Sequence, residues 1–295
     1  MNLPVLVTGA SGFLGRHLVK ALEDRGETVV THSSGDGDLA AVQPCVASVK
    51  HVYHLAAKTY VPDSWKQPVE FYRTNVLGTV NMLEYCRACG ALFTLVSSYM
   101  YGRPERLPIP EDHPLRAFNP YGHSKLMAEE IARFYRDSFG LSISIVRPFN
   151  MYGPGQSAEF IIPTLIRQAL APDTPAIMVA DLAPKRDYIF IDDVVDLLIR
   201  LSVTNNTGGT YNAGSGTSTS VQELAQTIAE LTATNKPVIS RNEIRPNEVL
   251  DTVADIRRAR DDLGWLPGVS LREGLERTIY AYRVAVQPSR GDSEL

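Results

Sequence analysis

The stretch Val5-Leu6-Val7-Thr8-Gly9-Ala10-Ser11-Gly12-Phe13-Leu14-Gly15 decides the fold. Residues 3–8 are a short, mostly apolar run rich in β-branched side chains, which predicts a strand. Apolar residues recur at helical spacing from Phe13 to Leu22, which predicts a helix directly after the glycines. Glycine permits a tight turn and a close backbone approach, and a helix N-terminus binds anions. The pattern therefore predicts a dinucleotide pyrophosphate at this turn, held by Gly9, Ser11, Gly12, Phe13, Leu14 and Gly15.

The end of the second predicted strand bears on the choice of dinucleotide. After Glu27-Thr28-Val29-Val30 the chain runs Thr31-His32-Ser33-Ser34, without the carboxylate that usually bonds the ribose 2′-hydroxyl of NAD. A 2′-phosphate is then not repelled, and His32, Ser33, Ser34 and Arg16 could donate hydrogen bonds to it. NADP(H) is favoured. NAD(H) stays possible because Asp36 and Asp38 follow closely, and we expect Asp38 and Leu39 to contact the cofactor as well.

A second motif, Tyr121-Gly122-His123-Ser124-Lys125, indicates proton chemistry. If residues 120–139 form one helix, Tyr121 and Lys125 lie one turn apart on the same face, roughly 6 Å between Cβ atoms. The Lys125 cation and a positive nicotinamide ring would lower the pKa of the phenol from about 10. Tyr121 could then exchange a proton with a substrate oxygen while hydride moves to or from the cofactor.

A hydroxyl partner for this pair is expected at the end of another strand. Residues 92–96 predict that strand, and Ser97 and Ser98 follow it. Open α/β sheets bind their ligands at the carboxyl ends of such strands. We therefore expect Ser97 or Ser98 to lie near Tyr121.

The chain resembles an extended short-chain dehydrogenase/reductase of the nucleotide-sugar epimerase/dehydratase group over nearly its whole length. Eight motifs carry the resemblance in the right order: the glycine turn, His54-Leu55-Ala56-Ala57, Asn75, Ser97-Ser98-Tyr99-Met100-Tyr101-Gly102, Tyr121 with Lys125, Arg147-Pro148-Phe149-Asn150 with Gly153-Pro154-Gly155-Gln156, Lys185-Arg186-Asp187-Tyr188 with Asp192-Asp193-Val194, and Arg245-Pro246-Asn247-Glu248. The resemblance implies an α/β fold, with a Rossmann-type doubly wound parallel sheet and a smaller C-terminal substrate-binding lobe.

The resemblance also implies domain limits. Residues 1–148, with returns near 187–215, are expected to form the NAD(P)-binding domain. Residues 149–186 and 216–287 are expected to form most of the substrate lobe, and residues 288–295 a flexible tail.

Roles follow residue by residue from the matching motifs. The resemblance implies that Ser97 is the catalytic hydroxyl beside Tyr121 and Lys125. It adds the cofactor contacts Leu55, Ala56, Ala57, Asn75 and Pro148, besides Tyr121 and Lys125 themselves. It also implies substrate contacts from Lys58, Ser98, Tyr99, Asn150, Arg186 and Arg245, of which the two guanidinium groups suit bidentate binding of a nucleotide-sugar diphosphate.

Departures from the family pattern narrow the reaction. Sugar 4,6-dehydratases carry an acid at the positions of Ser98 and Tyr99, and GDP-fucose synthases carry a cysteine at the position of Tyr99; this chain has neither. What remains is chemistry at C4. The motifs are most similar to GDP-4-keto-6-deoxy-mannose reductases, so we expect reduction of a 4-keto-6-deoxy-hexose nucleotide with Tyr121 as the proton donor. A C4 epimerase with bound NAD and a catalytically silent NADP-sensing or scaffold protein stay as alternatives.

Composition limits the partners. The net charge of −4 and the lack of a basic run favour neither nucleic acid nor an acidic membrane. The chain has no long apolar stretch, and its three cysteines suit a reducing compartment, so we expect a cytoplasmic enzyme without a metal. The helices predicted at 69–88 and 120–139 carry the apolar residues Phe71, Tyr72, Met127 and Phe134, and such helices pair in this family. A homodimer is therefore expected.

Overall fold

The computed structural model describes residues 3–203, 208–243 and 248–286. Its strands are β1 (Val5–Thr8), β2 (Val29–His32), β3 (His51–His54), β4 (Leu92–Val96), β5 (Ile143–Pro148), β6 (Asn150–Tyr152), β7 (Ile177–Val179), β8 (Lys185–Arg186), β9 (Tyr188–Phe190), β10 (Thr210–Ala213), β11 (Thr219–Ser220) and β12 (Val238–Ser240).

Ten α-helices lie within the described ranges. They are α1 (Phe13–Glu23), α2 (Val61–Lys66), α3 (Pro68–Tyr72), α4 (Gly78–Cys89), α5 (Pro120–Phe139), α6 (Ile161–Leu170), α7 (Ile191–Val203), α8 (Val221–Thr232), α9 (Arg257–Leu263) and α10 (Leu271–Val286). A π-helical turn at Arg73–Leu77 joins α3 to α4. A short 3₁₀ turn at Ser34–Asp36 follows β2.

Six parallel strands form the central sheet in the order β10-β5-β4-β3-β1-β2. Strands β1, β3 and β5 are buried along their whole length, which explains their apolar runs, since a parallel sheet is covered on both faces. The strand order reverses at β1, because β2 and β3 lie on opposite sides of it. Ligands bind at such a reversal, outside the carboxyl ends of the strands. The predicted α/β fold is confirmed.

The second part of the fold, beside the central sheet, is built from short strand pairs. They are β6 with β9, β7 with β12, and β8 with β11. Helix α7 packs on α1, and β10 is an edge strand of the main sheet, so the chain returns to the first part between these pairs. The division of the chain into a cofactor domain and a substrate lobe at residue 148 stays a proposal, and the predicted tail at 288–295 lies outside the described residues.

The helix predicted at 69–88 differs from expectation in two respects. The π-helical turn interrupts it, and Phe71, expected among the apolar residues of the dimer seam, is buried. Its ring is edge-on to that of Tyr121, with 6.4 Å between the ring centroids. The π turn inserts one extra residue into the helix. The residues before it therefore face a different direction from the one that an uninterrupted helical pattern predicts. Of the predicted seam residues, Phe134 is the exposed one, at 58%. No helix in the described ranges is both long and apolar enough to span a membrane.

Candidate active site

One cavity of about 1400 Å³ runs along the carboxyl edge of the central sheet. The ends of β1 to β5 line one side of it, and residues 148–162 with residues 186–188 and 248–252 line the other. A single small-molecule site usually measures about 300–1000 Å³. The cavity therefore has room for more than one ligand.

The glycine turn lies at one end of the cavity and leaves no space for side chains. Gly9 has a φ of +70°, and a Cβ there would lie 2.8 Å from the backbone nitrogen of Ala56. A Cβ at Gly15 would lie 2.2 Å from the carbonyl oxygen of Gly9, so α1 begins directly against the turn. No side chain in the described part of the chain caps this helix at Gly12. Its first N–H groups are thus available to an anion, as a pyrophosphate site requires.

Beyond the turn, the end of β2 forms a polar wall. His32, Ser33, Ser34, Asp38 and Leu39 all line the cavity. His32 is buried, with Nε2 3.0 Å from the Gly37 carbonyl oxygen, and the Ser33 amide donates to Asp36 Oδ2 at 2.8 Å. Asp38 pairs with Arg73 at 2.8 Å.

The sequence predicts that Arg16 lies at this wall, but the structure places it elsewhere. Its guanidinium donates to the carbonyl oxygens of Ser11 and Gly155, at 3.3 and 3.1 Å. Those contacts hold it outside the cavity lining, because they tie α1 to the loop after β6. The expected cation beside the ribose 2′ position is therefore engaged elsewhere.

The predicted helix at 120–139 is confirmed as α5, and it brings Tyr121 and Lys125 into the cavity. Asn119 caps the helix, since its Oδ1 accepts a hydrogen bond from the Gly122 amide at 2.7 Å, and Pro120 occupies the first helical position. Lys125 is 4% exposed, and its Nζ donates to the carbonyl oxygen of Val96 at 2.6 Å. The cap and this bond fix the pair at the end of β4.

Burial dominates the titration of both groups. It lowers the pKa of Lys125 to about 8, against the opposing charge of Glu129. It raises the pKa of Tyr121 above the ordinary value, although a hydrogen bond with Ser98 acts in the other direction. The lowered Tyr121 pKa expected from the sequence is thus outweighed by the cost of burying a phenolate. An oxidised nicotinamide ring beside Tyr121 would add the positive charge that offsets this cost.

Ser97 and Ser98 follow β4 and take different positions. Ser98 lies close enough to Tyr121 to lower the pKa of its phenol, whereas the Ser97 Oγ is buried and has no hydrogen-bond partner among the described residues. An unpaired buried hydroxyl costs about 1–3 kcal/mol. Because Ser97 also lines the cavity, a ligand oxygen is a fitting partner for it.

Tyr99, Asn150 and Arg186 form the polar wall at the other end. Tyr99 stacks on Phe149, with ring centroids 4.8 Å apart, and its hydroxyl donates to Asn150 Oδ1 at 3.0 Å. Arg186 pairs with Glu248 and donates to the Val249 carbonyl oxygen at 2.7 Å. The predicted substrate contact Arg245 lies outside the described residues.

Asn75, like Arg16, is a described candidate that does not line the cavity. It lies in the π-helical turn, where its Oδ1 accepts from the Lys58 amide and its Nδ2 donates to Ser124 Oγ, both at 2.8 Å. Ser124 in turn donates to the carbonyl oxygen of Tyr121. Asn75 therefore connects the Lys58 segment to α5 from behind.

The model of the NAD dependent epimerase/dehydratase family matches residues 5–214. The chain belongs to this family. The resemblance stated from the motifs is thereby confirmed at the level of the family.

Relatives within the family act on UDP-sugars. The UDP-glucose 4-epimerase of Mycolicibacterium smegmatis is 32% identical over 94% of this chain and 98% of its own length. UDP-glucuronic acid decarboxylase 3 of Arabidopsis thaliana is also 32% identical, over 93% of this chain and 87% of its own. The finer resemblance to GDP-4-keto-6-deoxy-mannose reductases is not specifically supported by these relatives.

Two solved structures illustrate the ligands that family members bind. MoeE5 in complex with UDP-glucose and NAD has a TM-score of 0.86 and 33% identity, over 96% of this chain and all of that one. RMD from Pseudomonas aeruginosa, complexed with NADPH, has a TM-score of 0.87 and 28% identity, over 97% of this chain and all of that one. One of these structural neighbours thus binds NAD and the other NADPH.

The structure gathers nearly all the predicted contacts of this epimerase/dehydratase in one cavity. Besides the residues already placed there, Leu55, Ala56, Ala57, Lys58 and Pro148 line it. Sequence reasoning missed other lining residues: Val61, Trp65, Phe118, Phe160, Tyr188, Glu248 and Thr252. Glu248 and Tyr188 belong to quoted motifs and could have been found; Trp65, Phe118 and Phe160 carry no local signal. Within the described ranges, no three His, Cys, Asp or Glu side chains cluster closely enough to hold a metal ion.

Proposed function

We propose that this protein is a nucleotide-sugar 4-epimerase that works with bound NAD. The observation that carries the proposal is the meeting of Ser97, Tyr121 and Lys125 in one cavity where Tyr99, not an acid, follows Ser98. This set can move one proton to and from one substrate oxygen. The 32% identity to a UDP-glucose 4-epimerase over 94% of the chain supports the same reaction.

Each residue has a role that follows from its position. Tyr121 takes the proton from the sugar O4 and later returns it. The Ser97 hydroxyl, which has no partner among the described residues, donates to the same oxygen as the carbonyl forms. Lys125, fixed on the Val96 carbonyl oxygen, holds a positive charge beneath Tyr121. NAD, which the glycine turn would hold, would supply the acceptor for the C4 hydride and the means of its return.

Inversion at C4 requires that the ketone present its other face before hydride returns. The sugar must therefore turn while its diphosphate stays attached. Arg186 is our candidate for that anchor, because it lines the cavity and a guanidinium binds phosphate oxygens in a bidentate manner. Its Nη2 pairs with Glu248 in this structure, so a bound diphosphate would replace that carboxylate. We propose a UDP-hexose as the substrate, as in the relatives.

The proposal of NAD reverses the preference drawn from the sequence. The carboxylate of Asp38 lines the cavity, and that of Asp36 accepts from Ser33, so negative charge lies close to the expected 2′ position. Arg16 is held elsewhere, and Arg73 is paired with Asp38. A 2′-phosphate would meet the Asp38 carboxylate there, which disfavours NADP.

Reduction of a 4-keto-6-deoxy sugar nucleotide is the second candidate. It is favoured by the end of β2, where His32, Ser33 and Ser34 stand in place of an acid, and by the NADPH found with RMD. The same Tyr121 would then donate its proton once. The cytoplasmic location suggested by the cysteines stays a proposal with either reaction.

The test begins with the purified protein as isolated. Denaturation should release NAD, which chromatography distinguishes from NADP. The folded protein should convert UDP-glucose to UDP-galactose without added cofactor, and Arg186→Met should raise the KM more than it lowers kcat. UDP-glucuronic acid is a separate arm, in which release of CO₂ would indicate a decarboxylase instead.

Other outcomes distinguish the alternatives. Consumption of NADPH with a 4-keto-6-deoxy-hexose nucleotide, and no conversion of UDP-glucose, would establish the reductase and exclude the epimerase. Dinucleotide binding without turnover of any nucleotide sugar would support the silent sensor.

We further propose a homodimer, formed through α4 and α5. Leu77, Phe134 and Phe139 expose 52%, 58% and 49% of their surface on this side. Phe134→Glu should place a charge in the apolar seam and shift the protein toward the monomer in light scattering. Tyr280→Glu is the matched control, because Tyr280 is 71% exposed on α10. A wild-type monomer at micromolar concentration would exclude the dimer.

A further inference from the structure

A buried ion cluster lies directly below the Tyr121 and Lys125 pair. Glu129 follows Lys125 by one helical turn on α5 and is fully buried. Arg147 on β5, 2% exposed, binds both of its carboxylate oxygens, with Nη2 to Oε2 at 2.6 Å and Nε to Oε1 at 3.0 Å. Arg133 pairs with the same carboxylate from the outer side, where its side chain is 29% exposed.

The Arg147 guanidinium joins α5 to the Tyr101 and Glu111 segments. Its Nη1 donates to the Tyr101 hydroxyl at 3.0 Å and to the Glu111 carbonyl oxygen at 2.9 Å. Tyr101 donates onward to Asn212 Oδ1 at 2.5 Å, on the edge strand β10. Arg147 also precedes Pro148, which lines the cavity. Glu129 is therefore anchored against the end of β5.

Stability alone is a weak reason for such a cluster. Removing charges from water costs several kcal/mol per ion, and apolar side chains of similar volume often stabilise a fold equally well. Two guanidinium groups, those of Arg147 and Arg133, bind the Glu129 carboxylate. The cluster thus fixes this carboxylate at one defined point, one helical turn from Lys125.

We propose that Glu129, anchored by Arg147, is a positioning residue that holds the ammonium charge of Lys125 beneath Tyr121. The proposal rests on the proposed function, because it assigns the charge to the proton step at Tyr121. At i, i+4 spacing the two Cβ atoms lie roughly 6 Å apart, and both side chains are buried, so solvent screens their attraction little. Lys125 is thereby kept charged in a place where burial favours its neutral form.

The charged groups around Lys125 determine whether its pKa rises or falls when Glu129 is changed. The pKa of Lys125 is about 8, lowered by burial and raised by Glu129. His54, which faces it from β3, has a pKa lowered to about 3 by burial and is neutral at working pH, while Arg147 faces α5 from β5 and carries a positive charge. The other elements that pack on α5 present Asp63 and Lys66 from α2, Glu70 from α3, Arg73 from the π turn, and Glu84 and Arg87 from α4.

Loss of the Glu129 charge would leave Arg147 uncompensated, and both changes lower the pKa of Lys125 further. Lys125 then becomes neutral at lower pH, and Tyr121 loses its neighbouring cation. In Glu129→Gln we therefore expect the alkaline limb of the plot of kcat against pH to move to lower pH by about one pH unit. At a fixed pH on that limb, kcat would fall about tenfold.

Arg133→Gln is the matched variant, because it removes a cation from the same carboxylate at a partly exposed position. It should move the same limb to higher pH, by a smaller amount. Glu129→Asp, which keeps the charge, should restore most of the wild-type profile. A merely structural cluster would lower the melting temperature of the variants without moving the pH profile.

A spectroscopic measurement tests this proposal independently of the proposed function. Tyrosinate absorbance of the NAD-bound protein, taken as the difference from Tyr121→Phe, reports the ionisation of Tyr121 without substrate. Glu129→Gln should move this titration to higher pH and Arg133→Gln to lower pH, whether or not UDP-glucose is converted. Unchanged titrations, or shifts of the same sign in both variants, would overturn the positioning role. If Glu129→Gln does not fold, the Arg133→Gln shift alone decides.

Discussion

Replacement of Tyr121 by phenylalanine is expected to lower the turnover of UDP-glucose by about 10²–10⁴-fold while the bound dinucleotide stays in place. The change removes one oxygen and keeps the ring that packs edge-on against Phe71. The proton of O4 then has no carrier, although Lys125 and the glycine turn are unaltered. Initial rates, together with the dinucleotide content of the purified variant, test both halves of this expectation.

Tyr72→Phe provides the control. Its hydroxyl lies 3.2 Å from His123 Nδ1, and the residue does not belong to the cavity lining. It should retain full turnover. Wild-type rates in Tyr121→Phe would show that its hydroxyl has no part in the proton transfer, whereas loss of the dinucleotide would show that the variant reports on binding instead.

The second large effect is expected from Gly9→Ala, which should abolish retention of the dinucleotide. At a φ of +70° an alanine pays about 1–2 kcal/mol of backbone strain. Its Cβ would also lie 2.8 and 2.9 Å from backbone atoms of Ala56, which cannot move aside as a side chain can. The end of β1 would have to shift away from the end of β3, and the pyrophosphate turn would shift with it. Chromatography of the nucleotide released from the variant measures the loss.

Gly26→Ala is the control that distinguishes backbone strain from steric contact of the new Cβ with neighbouring backbone. Gly26 has a φ of +78°, yet a Cβ there meets nothing within 4 Å. It should lower the melting temperature by a few degrees, through the same strain of about 1–2 kcal/mol, and should keep its dinucleotide. Equal dinucleotide loss in the two variants would refute the close-approach argument at Gly9.

The parts of the fold that were predictable from sequence are those with local causes. Strand β4 and helix α5 begin and end where the apolar patterns predict, because a continuous buried run and a capped amphipathic pattern need no distant partner. The glycine turn was predictable for the same reason, since its φ angles and short distances exclude other residues. These elements already carry Ser97, Tyr121 and Lys125.

The remaining features depend on contacts between distant residues. Arg186 is predicted as a phosphate ligand from its motif, but its pairing with Glu248, 62 positions away, was not predictable. Arg16 was assigned to the ribose wall, although the Gly155 carbonyl oxygen, 139 positions away, holds it elsewhere. The sign of the Tyr121 pKa shift in the free protein depended on burial, which spacing alone does not reveal.

The π-helical turn at Arg73–Leu77 has a consequence for how this region can change over evolution. The extra residue turns the following helix by about 100° relative to an uninterrupted α-helix. Phe71 before the turn can thus pack beside Tyr121, while Met82 and Cys86 after it enter the core behind the sheet. Deleting one residue would regularise the helix but rotate one of these two faces into water. The segment should therefore accept substitutions at its exposed positions far more readily than any insertion or deletion, and its length should vary less among descendants than its composition.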